Sequence, residues 1–477
     1  MPDIRYVSLS DTHFGDLGSL LTNLTDRGSA PDPSEPSPCL RQMVECLRHL
    51  IAQNQLGKRP TLILNGDILE LALTTTNQAA MAFERFVELI MPQGGELFER
   101  IIYIPGNHDH HLWETARETQ YIDYMTRDLP AGKYLPVPWH ATNMFERGDT
   151  KPVRSHFLTS LVQRYAHLKD TVIWTAYPNF GLFDDERQKG VIFHHGHFAE
   201  PIYQLVTTFM NLVFADRQQP RQVWDIECEN FAWIDFLWSV IGQSGDAGRQ
   251  IGLIYEKTHD KEELRKLFYA FAHNLARQYD LPGWGDAMEE QFLKLLCDAV
   301  ADRIGHVERT RTDAVLSEGT EKGLSAYLSG PLREQILVEM NGNLPREVTF
   351  VFGHTHKPFQ QDSRYHGYPE WVNVYNSGGW EVDTVDPQPL HGGALVLVDE
   401  ELNAVSLRMY NERADKEECL VRVDQASSTP GQENQLYDRV TQLVHPLEDP
   451  WKTFSTTVAD SVSTRLRNLR TRIREMG

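Results

Sequence analysis

Short apolar runs of strand length alternate with longer amphipathic stretches in the first part of the chain. Residues 6–9, 62–64, 101–104 and 191–193 are mainly apolar, and each run ends at a polar loop. Such runs predict strands. Residues 40–56 repeat apolar positions every three or four residues, which predicts an amphipathic helix. The alternation predicts a β-α-β layout with a mixed sheet.

Three further runs follow in the last third of the chain. Residues 371–375, 394–398 and 404–410 are apolar or alternate with polar positions, and they predict strands that complete a second sheet packed on the first. Residues 30–38 contain four prolines and are expected to form an extended loop. Residues 421–450 are polar and contain proline, which is typical of a linker.

The composition changes between residues 199 and 344, where the pattern is helical and contains no convincing strand. Residues 201–214 are apolar on more than one face, and residues 262–279 and 286–304 are regular amphipathic helices by their spacing. The strand pattern stops at this insertion and resumes after it. We therefore expect the insertion to form a cap over the substrate. The alternative is a helical subdomain that packs on the edge of the core.

A last helix is predicted over Thr453–Met476, with apolar residues three or four apart. Its apolar face has three alternatives: docking on an acidic membrane surface, pairing in an oligomer, or covering the protein's own core. The opposite face carries Arg465, Arg467, Arg470, Arg472 and Arg474.

The expected architecture is an α/β fold, a two-sheet β-sandwich flanked by helices with an inserted helical cap. The predicted division is residues 1–198 for the first part of the core, 199–344 for the cap, 345–415 for the second part of the core, and 416–477 for the linker and the amphipathic helix.

Composition narrows the function classes. The chain has 477 residues and a formal net charge of −21, which argues against general nucleic-acid binding. Five cysteines without a C-x-x-C pair fit a reducing compartment. No signal peptide and no run of 18 apolar residues is visible, so the sequence predicts a cytoplasmic location.

Metal-ligand residue types follow the first four predicted strands and a fifth apolar run at residues 348–352, which also predicts a strand. Side chains that follow the carboxyl ends of neighbouring strands converge on one crevice. Carboxylates, imidazoles and an amide suit two divalent cations bridged by a carboxylate. The five stretches are Asp11-Thr12-His13, Gly66-Asp67, Gly106-Asn107-His108-Asp109, His194-His195-Gly196-His197 and Gly353-His354-Thr355-His356.

In this order the five stretches resemble the calcineurin-like metallophosphoesterase family. The family pattern is D-x-H, then G-D, then G-N-H-D/E, then a His usually followed by Gly, then G-H-x-H. The resemblance covers about residues 4–197 and 345–410. It implies the two-sheet fold expected above and hydrolysis of a phosphate ester or diphosphate by a metal-bound hydroxide at a two-metal site.

Ligand geometry predicts how the ions are held. Two residues apart on a strand end, Asp11 and His13 point the same way and can hold one ion. Asp67 is the natural bridge because its two oxygens can neutralise part of both charges. Mn²⁺, Fe²⁺ and Zn²⁺ all suit such ligands, and Mn²⁺ is the expected metal. The predicted ligands are Asp11, His13 and His356 for the first ion, Asn107, His195 and His354 for the second, and Asp67 for both.

The resemblance gives His108 the role of general acid or charge stabiliser at the leaving oxygen. Asp109 is expected to orient that imidazole. The resemblance also selects His195 as the ligand of its stretch, because it precedes glycine. His197 is a candidate for substrate contact, and His194, on the opposite strand face, is expected to be structural. The adjacent His110 and His111 are expected to be solvated loop residues, with phosphate binding as the alternative.

The substrate is expected to be a phosphorylated small molecule or a nucleotide-type compound. The insertion and the His-Gly stretch resemble bacterial UDP-2,3-diacylglucosamine pyrophosphohydrolases, although this chain and its insertion are longer. The first stretch also resembles nuclease members. The alternatives therefore include a pyrophosphohydrolase of UDP-sugar lipids, a nuclease or cyclic nucleotide phosphodiesterase, and a non-catalytic scaffold on the same fold.

Overall fold

The computed structural model describes residues 2–25, 28, 30–55, 57–146, 152–214, 216–240, 308, 313–412, 420–426 and 433–476. The helices predicted over 262–279 and 286–304 lie outside the described residues.

The strands of the described residues form two large sheets and one short hairpin. In chain order they are β1 (Ile4–Leu9), β2 (Thr22–Leu24), β3 (Pro31–Pro36), β4 (Thr61–Asn65), β5 (Arg100–Ile104), β6 (Val153–Arg154), β7 (Ile173–Thr175), β8 (Asn179–Asp184), β9 (Lys189–His194), β10 (Glu347–Phe352), β11 (Phe359–Ser363), β12 (Val372–Asn376), β13 (Gly392–Asp399), β14 (Ala404–Asn411) and β15 (Arg422–Asp424).

The first sheet has the order β15-β14-β13-β1-β4-β5-β7-β6, and the second has the order β11-β12-β10-β9-β8. Strands β1, β4, β5 and β7 are parallel neighbours in the first sheet. In the second sheet β10 runs parallel to both β9 and β12. Because parallel neighbours end at the same edge, the loops after β1, β4 and β5 lie side by side, and so do those after β9 and β10.

Helices cover both outer faces of the sandwich. Short 3₁₀ turns occur at Ala166–Leu168, His197–Ala199 and Pro201–Gln204, and π-helical turns at Phe236–Val240 and Leu328–Leu332. The α-helices of the described residues are α1 (Pro38–Ile51), α2 (Thr76–Ile90), α3 (His111–Arg127), α4 (His156–Val162), α5 (Leu205–Val213), α6 (Val223–Asp235), α7 (Glu318–Tyr327), α8 (Arg333–Glu339), α9 (Gln435–Leu443) and α10 (Trp451–Met476).

Three apolar clusters give the sandwich four layers. Ile63 and Ile102 of the first sheet meet Phe193 and Val351 of the second between the sheets. The other face of the first sheet packs against α1, α2 and α10. The other face of the second sheet, which includes Phe350, packs against helices of the insertion. The expected two-sheet α/β fold is therefore confirmed, and the described part of the insertion supplies one outer helical layer.

Several expectations about individual segments were wrong. Strands β13 and β14 belong to the first sheet, because β13 pairs antiparallel with β1, with Val7 opposite Leu397. The proline-rich segment forms strand β3, which pairs with β2. The expected linker contains β15 and α9, and Leu436 and Val440 of that helix are fully buried.

The last helix, α10, packs its apolar face on the first sheet's outer layer. Trp451, Phe454 and Val458 are fully or almost fully buried there. Its Arg465 is also buried and donates to the carbonyl oxygens of Ser19 (2.8 Å) and Thr22 (2.6 Å). Of the three alternatives for this helix, the structure shows the covering of the protein's own core.

Among the described helices, none is both long enough and apolar enough to cross a bilayer.

Candidate metal centre

The five metal-ligand stretches meet at one edge of the sandwich. Eight described residues other than glycine have a positive φ, and five of the eight belong to the predicted ligand set. L-residues adopt this region only where the surrounding structure enforces it, and such strain concentrates at functional sites. The chain therefore turns sharply after three of the strands, β1, β4 and β10, and points these side chains into the crevice. The five are Asp11 (51°), His13 (44°), Asp67 (50°), His354 (69°) and His356 (56°).

Two motif glycines allow the carboxylates to approach the neighbouring backbone closely. A Cβ atom at Gly106 would overlap the Asp67 carboxylate, and a Cβ atom at Gly353 would overlap the Asp11 carboxylate and the Ser10 side chain. Only glycine leaves room for both contacts. The two glycines therefore fix the carboxylates in the crevice.

One group of ligand atoms comes from the loops after β1 and β10. His13 Nε2 and His356 Nε2 lie 3.2 Å apart, and His356 Nε2 lies 3.5 Å from Asp11 Oδ1. All three side chains are buried. The Asp11 carboxylate also accepts from the backbone N–H of His354 at 2.9 Å, which fixes its orientation. The structure thus brings together the three residues predicted for the first ion.

The second group comes from the loops after β4, β5, β9 and β10. His195 Nε2 lies 3.0 Å from Asn107 Oδ1, 3.1 Å from Asp67 Oδ2 and 3.2 Å from His354 Nδ1. His195 Nδ1 faces the carbonyl oxygen of Asn65 at 3.2 Å, so Nε2 is the nitrogen that points into the crevice. The structure thus brings together the residues predicted for the second ion.

Asp67 lies between the two groups. Its Oδ2 is 3.1 Å from His195 Nε2 and 3.9 Å from His13 Nε2. Two ligand atoms that each lie about 2.1 Å from one ion, at about a right angle, are about 3 Å apart. The distances within the two groups, 3.0 to 3.5 Å, are close to this value, so the residues present fit two divalent cations with Asp67 between them.

Glu70, three residues after Asp67, is a further carboxylate at the centre. Its Oε2 lies 2.8 Å from His13 Nδ1 and 2.8 Å from His108 Nδ1. Burial opposes ionisation, but the neighbouring imidazoles of His108 and His13 outweigh it and hold the pKa of Glu70 below its usual value. The sequence analysis missed this residue, although its place in the Gly66-Asp67 loop was a signal.

The expectation that Asp109 orients His108 was wrong. Asp109 is fully buried, and its carboxylate accepts from the backbone N–H groups of Gly106 (2.7 Å), Ile68 (2.8 Å) and Leu69 (3.2 Å). Burial, with the negative charge of Asp67, raises the pKa of Asp109 to about 6. Asp109 thus ties the loop after β5 to the loop after β4, and Glu70 is the carboxylate that contacts the His108 imidazole.

A second carboxylate supports the first group from outside. Asp383 Oδ2 lies 2.5 Å from His356 Nδ1, so the imidazole turns its Nε2 toward Asp11 and His13. An imidazole ligand commonly has such a partner on its other nitrogen, which fixes the tautomer and the ring orientation. Asp383 lies in a loop after β12 that carries none of the five stretches.

His194 and His197, on either side of the His195-Gly196 pair, are both buried but pack against different side chains. His197 is fully buried and stacks on Tyr177, whose OH lies 3.3 Å from its Nε2. Burial lowers the pKa of His197 and that of His194, whose ring packs against Tyr327 and Phe350 as expected for a structural residue. A substrate contact of His197 stays a prediction.

The expectation of a solvated His110 was wrong. The His110 imidazole is fully buried, and its Nε2 lies 2.8 Å from Glu227 Oε1 of α6. Burial disfavours the charged imidazole, but Glu227 and Asp235 outweigh it and raise the pKa of His110 to about 10. His111 is half-exposed at the same loop, where its Nδ1 lies 3.2 Å from Asp235. The insertion therefore covers this loop.

One comparison, with models of protein families, agrees with this geometry. Residues 4–220 match the family model described as calcineurin-like phosphoesterase. Over these residues the chain is similar to that family. The matched residues include four of the five stretches, and the fifth, with His354 and His356, comes from the second part of the core. The protein is therefore a metal-dependent hydrolase of phosphoric esters.

Among solved structures, a dimetal phosphatase from Danio rerio is similar at 12% sequence identity and a TM-score of 0.31, covering 90% of this chain and 100% of that chain. No curated protein matches the sequence.

The insertion contributes side chains to the edge of the phosphoesterase centre. Tyr203 OH accepts from Asn107 Nδ2 at 3.1 Å, and the Tyr203 ring packs edge-on against the His354 ring, with centroids 5.0 Å apart. Glu200 Oε1 lies 3.1 Å from His354 Nε2. Trp238 packs on Tyr203 in turn. The residues that follow His197 therefore form one wall of the crevice.

The charges of the phosphoesterase centre compensate one another. Burial opposes the charged form of His195, but the carboxylates of Asp67 and Asp11 outweigh it and raise the pKa of His195 to about 9. Burial likewise opposes ionisation of Asp67, yet His195 and His108 hold its pKa well below the usual value. Bound cations would take over the role of these protons, so metal binding releases protons.

Proposed function

We propose that this protein hydrolyses a phosphate ester or diphosphate bond of a small phosphorylated or nucleotide-type substrate at a two-metal centre. One observation carries the proposal: there are two groups of buried ligand atoms, the atoms within each group lie about 3 Å from one another, and Asp67 lies between the groups. The proposed ligands are Asp11, His13 and His356 for one ion, Asn107, His195 and His354 for the other, and Asp67 for both.

Two bound cations activate a water molecule and neutralise charge on a phosphoryl group. Within the chain, Asn107 is a neutral ligand, which limits the negative charge that a phosphate anion meets. Glu70 engages His108 Nδ1, so Nε2 is the nitrogen through which His108 donates a proton to the leaving oxygen. Glu70 therefore acts through His108 and fixes its ring.

Mn²⁺ is the proposed metal. The donor set mixes imidazole nitrogens, carboxylate oxygens and one amide oxygen, and it lacks a thiolate, so it suits Mn²⁺, with Fe²⁺ and Zn²⁺ as alternatives. Metal analysis of protein purified without chelators should find two ions per chain. Reconstitution of chelator-treated protein with each metal in turn identifies the one that restores activity best.

The substrate class is tested with a panel of aryl phosphates, phosphodiesters, cyclic nucleotides and nucleotide sugars, each with added Mn²⁺. We expect turnover of at least one class that depends on the metal and is lost in Asp67→Ala. Protein that binds two ions but hydrolyses no member of the panel would contradict the proposed substrate class.

A further inference from the structure

Tyr203 links the insertion to a candidate metal ligand through one specific hydrogen bond. The tyrosine lies in the 3₁₀ turn Pro201–Gln204, next after the turn that begins at His197. It is 3% exposed, and its phenol oxygen accepts from Asn107 Nδ2 at 3.1 Å. The other end of the same amide, Oδ1, lies 3.0 Å from His195 Nε2. The tyrosine therefore engages the end of Asn107 that faces away from the crevice.

An asparagine side chain binds a cation only through its oxygen, because its nitrogen carries two hydrogens and no available lone pair. With Oδ1 pointing into the crevice, Nδ2 is buried and needs an acceptor. Tyr203 supplies this acceptor in the orientation that binds metal. A phenylalanine in its place would leave the amide hydrogen unpaired, a loss equivalent to about 5- to 100-fold in affinity.

The same tyrosine also contacts the ring of His354, with the ring planes at 76° to each other. Asn107 and His354 are both proposed ligands of the second ion. One insertion residue therefore contacts two ligands of that ion.

Helix α6 holds the segment that carries Tyr203. Trp233 Nε1 donates to the carbonyl oxygen of Ile202 at 2.9 Å, and Asn230 Oδ1 accepts from the N–H of Val206 at 3.1 Å. These bonds bracket Tyr203 on both sides. Its position therefore depends on the fold of the insertion.

We infer that Tyr203 is a positioning residue that makes binding of the second metal ion depend on the folded insertion. The inference rests on the proposed assignment of Asn107 and His354 as ligands of that ion. It predicts that removal of the phenol hydroxyl weakens binding of the second ion and leaves binding of the first ion unchanged.

The chain offers a matched control in Tyr327. This tyrosine is also buried, also belongs to the insertion, and also bonds an asparagine of the core, with its OH 2.8 Å from Asn179 Nδ2. Asn179 lies in strand β8 and is outside the proposed ligand set. Tyr203→Phe and Tyr327→Phe thus each remove a buried tyrosine–asparagine contact, and only the first touches a proposed ligand. The Asn179 amide also donates to Gln335 Oε1 at 2.9 Å, so the control tests the loss of a buried phenol hydroxyl.

The experiment titrates Mn²⁺ into full-length, metal-free protein by calorimetry and follows the spin-coupled pair signal by electron paramagnetic resonance. We expect Tyr203→Phe to bind the first ion as the wild type does and the second about 5- to 100-fold more weakly, with loss of the pair signal at limiting Mn²⁺. Tyr327→Phe should keep both affinities and the pair signal.

Three results would overturn the inference: unchanged binding of both ions in Tyr203→Phe, an equal loss of both ions, or unfolding of Tyr203→Phe where Tyr327→Phe stays folded. A wild-type protein that binds fewer than two ions would instead contradict the proposed function. The two failures are therefore distinguished by the wild-type titration.

Discussion

Glu70 Oε2 lies 2.8 Å from His108 Nδ1 and at the same distance from His13 Nδ1, so one buried carboxylate contacts both the proposed general acid and a proposed metal ligand. The contact fixes which nitrogen of each ring faces the crevice. Proton donation and metal binding therefore depend on the same side chain.

His108→Ala should keep both metal ions and lower turnover by about 10²- to 10⁴-fold on a substrate with a poor leaving group, because a positioned acid contributes about that much. Steady-state kinetics with metal analysis of the same sample tests this. His111→Ala is the control, since the neighbouring His111 is half-exposed. Wild-type turnover in His108→Ala on the poor leaving group would remove His108 from the mechanism.

Asp67→Ala should weaken the binding of both ions, because Asp67 Oδ2 lies near His195 of one group and His13 of the other. The number of ions per chain is measured by elemental analysis after dialysis against a fixed Mn²⁺ concentration. One site that stays fully occupied in this variant would show that Asp67 is not shared.

Gly353→Ala should abolish binding of the first ion. The added methyl group would overlap the Asp11 carboxylate and Ser10, and both lie in a buried site that cannot expand without displacing the ligand. Gly330→Ala is the matched control, because no atom lies within 4 Å of the Cβ atom it adds. Equal metal content in the two variants would contradict the close-approach role of Gly353.

Glu412→Gln should flatten the pH dependence of stability. Burial, reinforced by the charge of Asp383, raises the pKa of Glu412 to about 8. The folded protein keeps this proton while the unfolded chain loses it near pH 4.5, so the wild type loses stability between about pH 4.5 and 8. Because glutamine stays neutral, the free energy of unfolding of the variant should not fall by the few kcal/mol that the wild type loses over that window.

Urea unfolding at pH 5 and pH 8 measures the effect, with Glu401→Gln as an exposed control. A wild type and a Glu412→Gln variant that lose the same free energy of unfolding between the two pH values would contradict it.

Replacing residues 205–340 by a short Gly-Ser linker should unfold the protein and not merely change its specificity. The described insertion helices cover Val348, Phe350 and Val372 on the outer face of the second sheet. Exposing such a face costs about 1.5–3 kcal/mol for each large side chain, so these three alone cost about 4.5–9 kcal/mol, which is comparable with the whole stability of many domains. Circular dichroism decides this, and a folded, metal-binding product would show that the second sheet needs no outer layer.

The crevice could be predicted because its signals are local. Asp11, Asp67 and Asn107 each come shortly after the end of a strand that the sequence also predicts. The position of each residue at the sheet edge therefore follows from its own local sequence. Asp383 and Tyr203 could not be predicted as neighbours of the ligands, because their contacts depend on the tertiary placement of separate loops.

The sheet assignment failed for a related reason. Alternation of polar and apolar positions predicts that 394–398 forms a strand, but it carries no information about which strand lies beside it. The pairing of β13 with β1 joins the two ends of the core, and only the folded chain shows it. His110 was assigned to solvent because the sequence does not show that Glu227 of the insertion lies beside it.

The contact of Arg465 with Ser19 has a consequence for biosynthesis. Ser19 also donates its hydroxyl to the carbonyl oxygen of Thr12, between the first two proposed ligands, so Arg465 braces the first metal loop from 446 residues further along the chain. A ribosome must therefore translate the chain at least as far as Arg465 before that loop receives its support. Nascent chains that end before Arg465 should therefore carry no assembled metal pair.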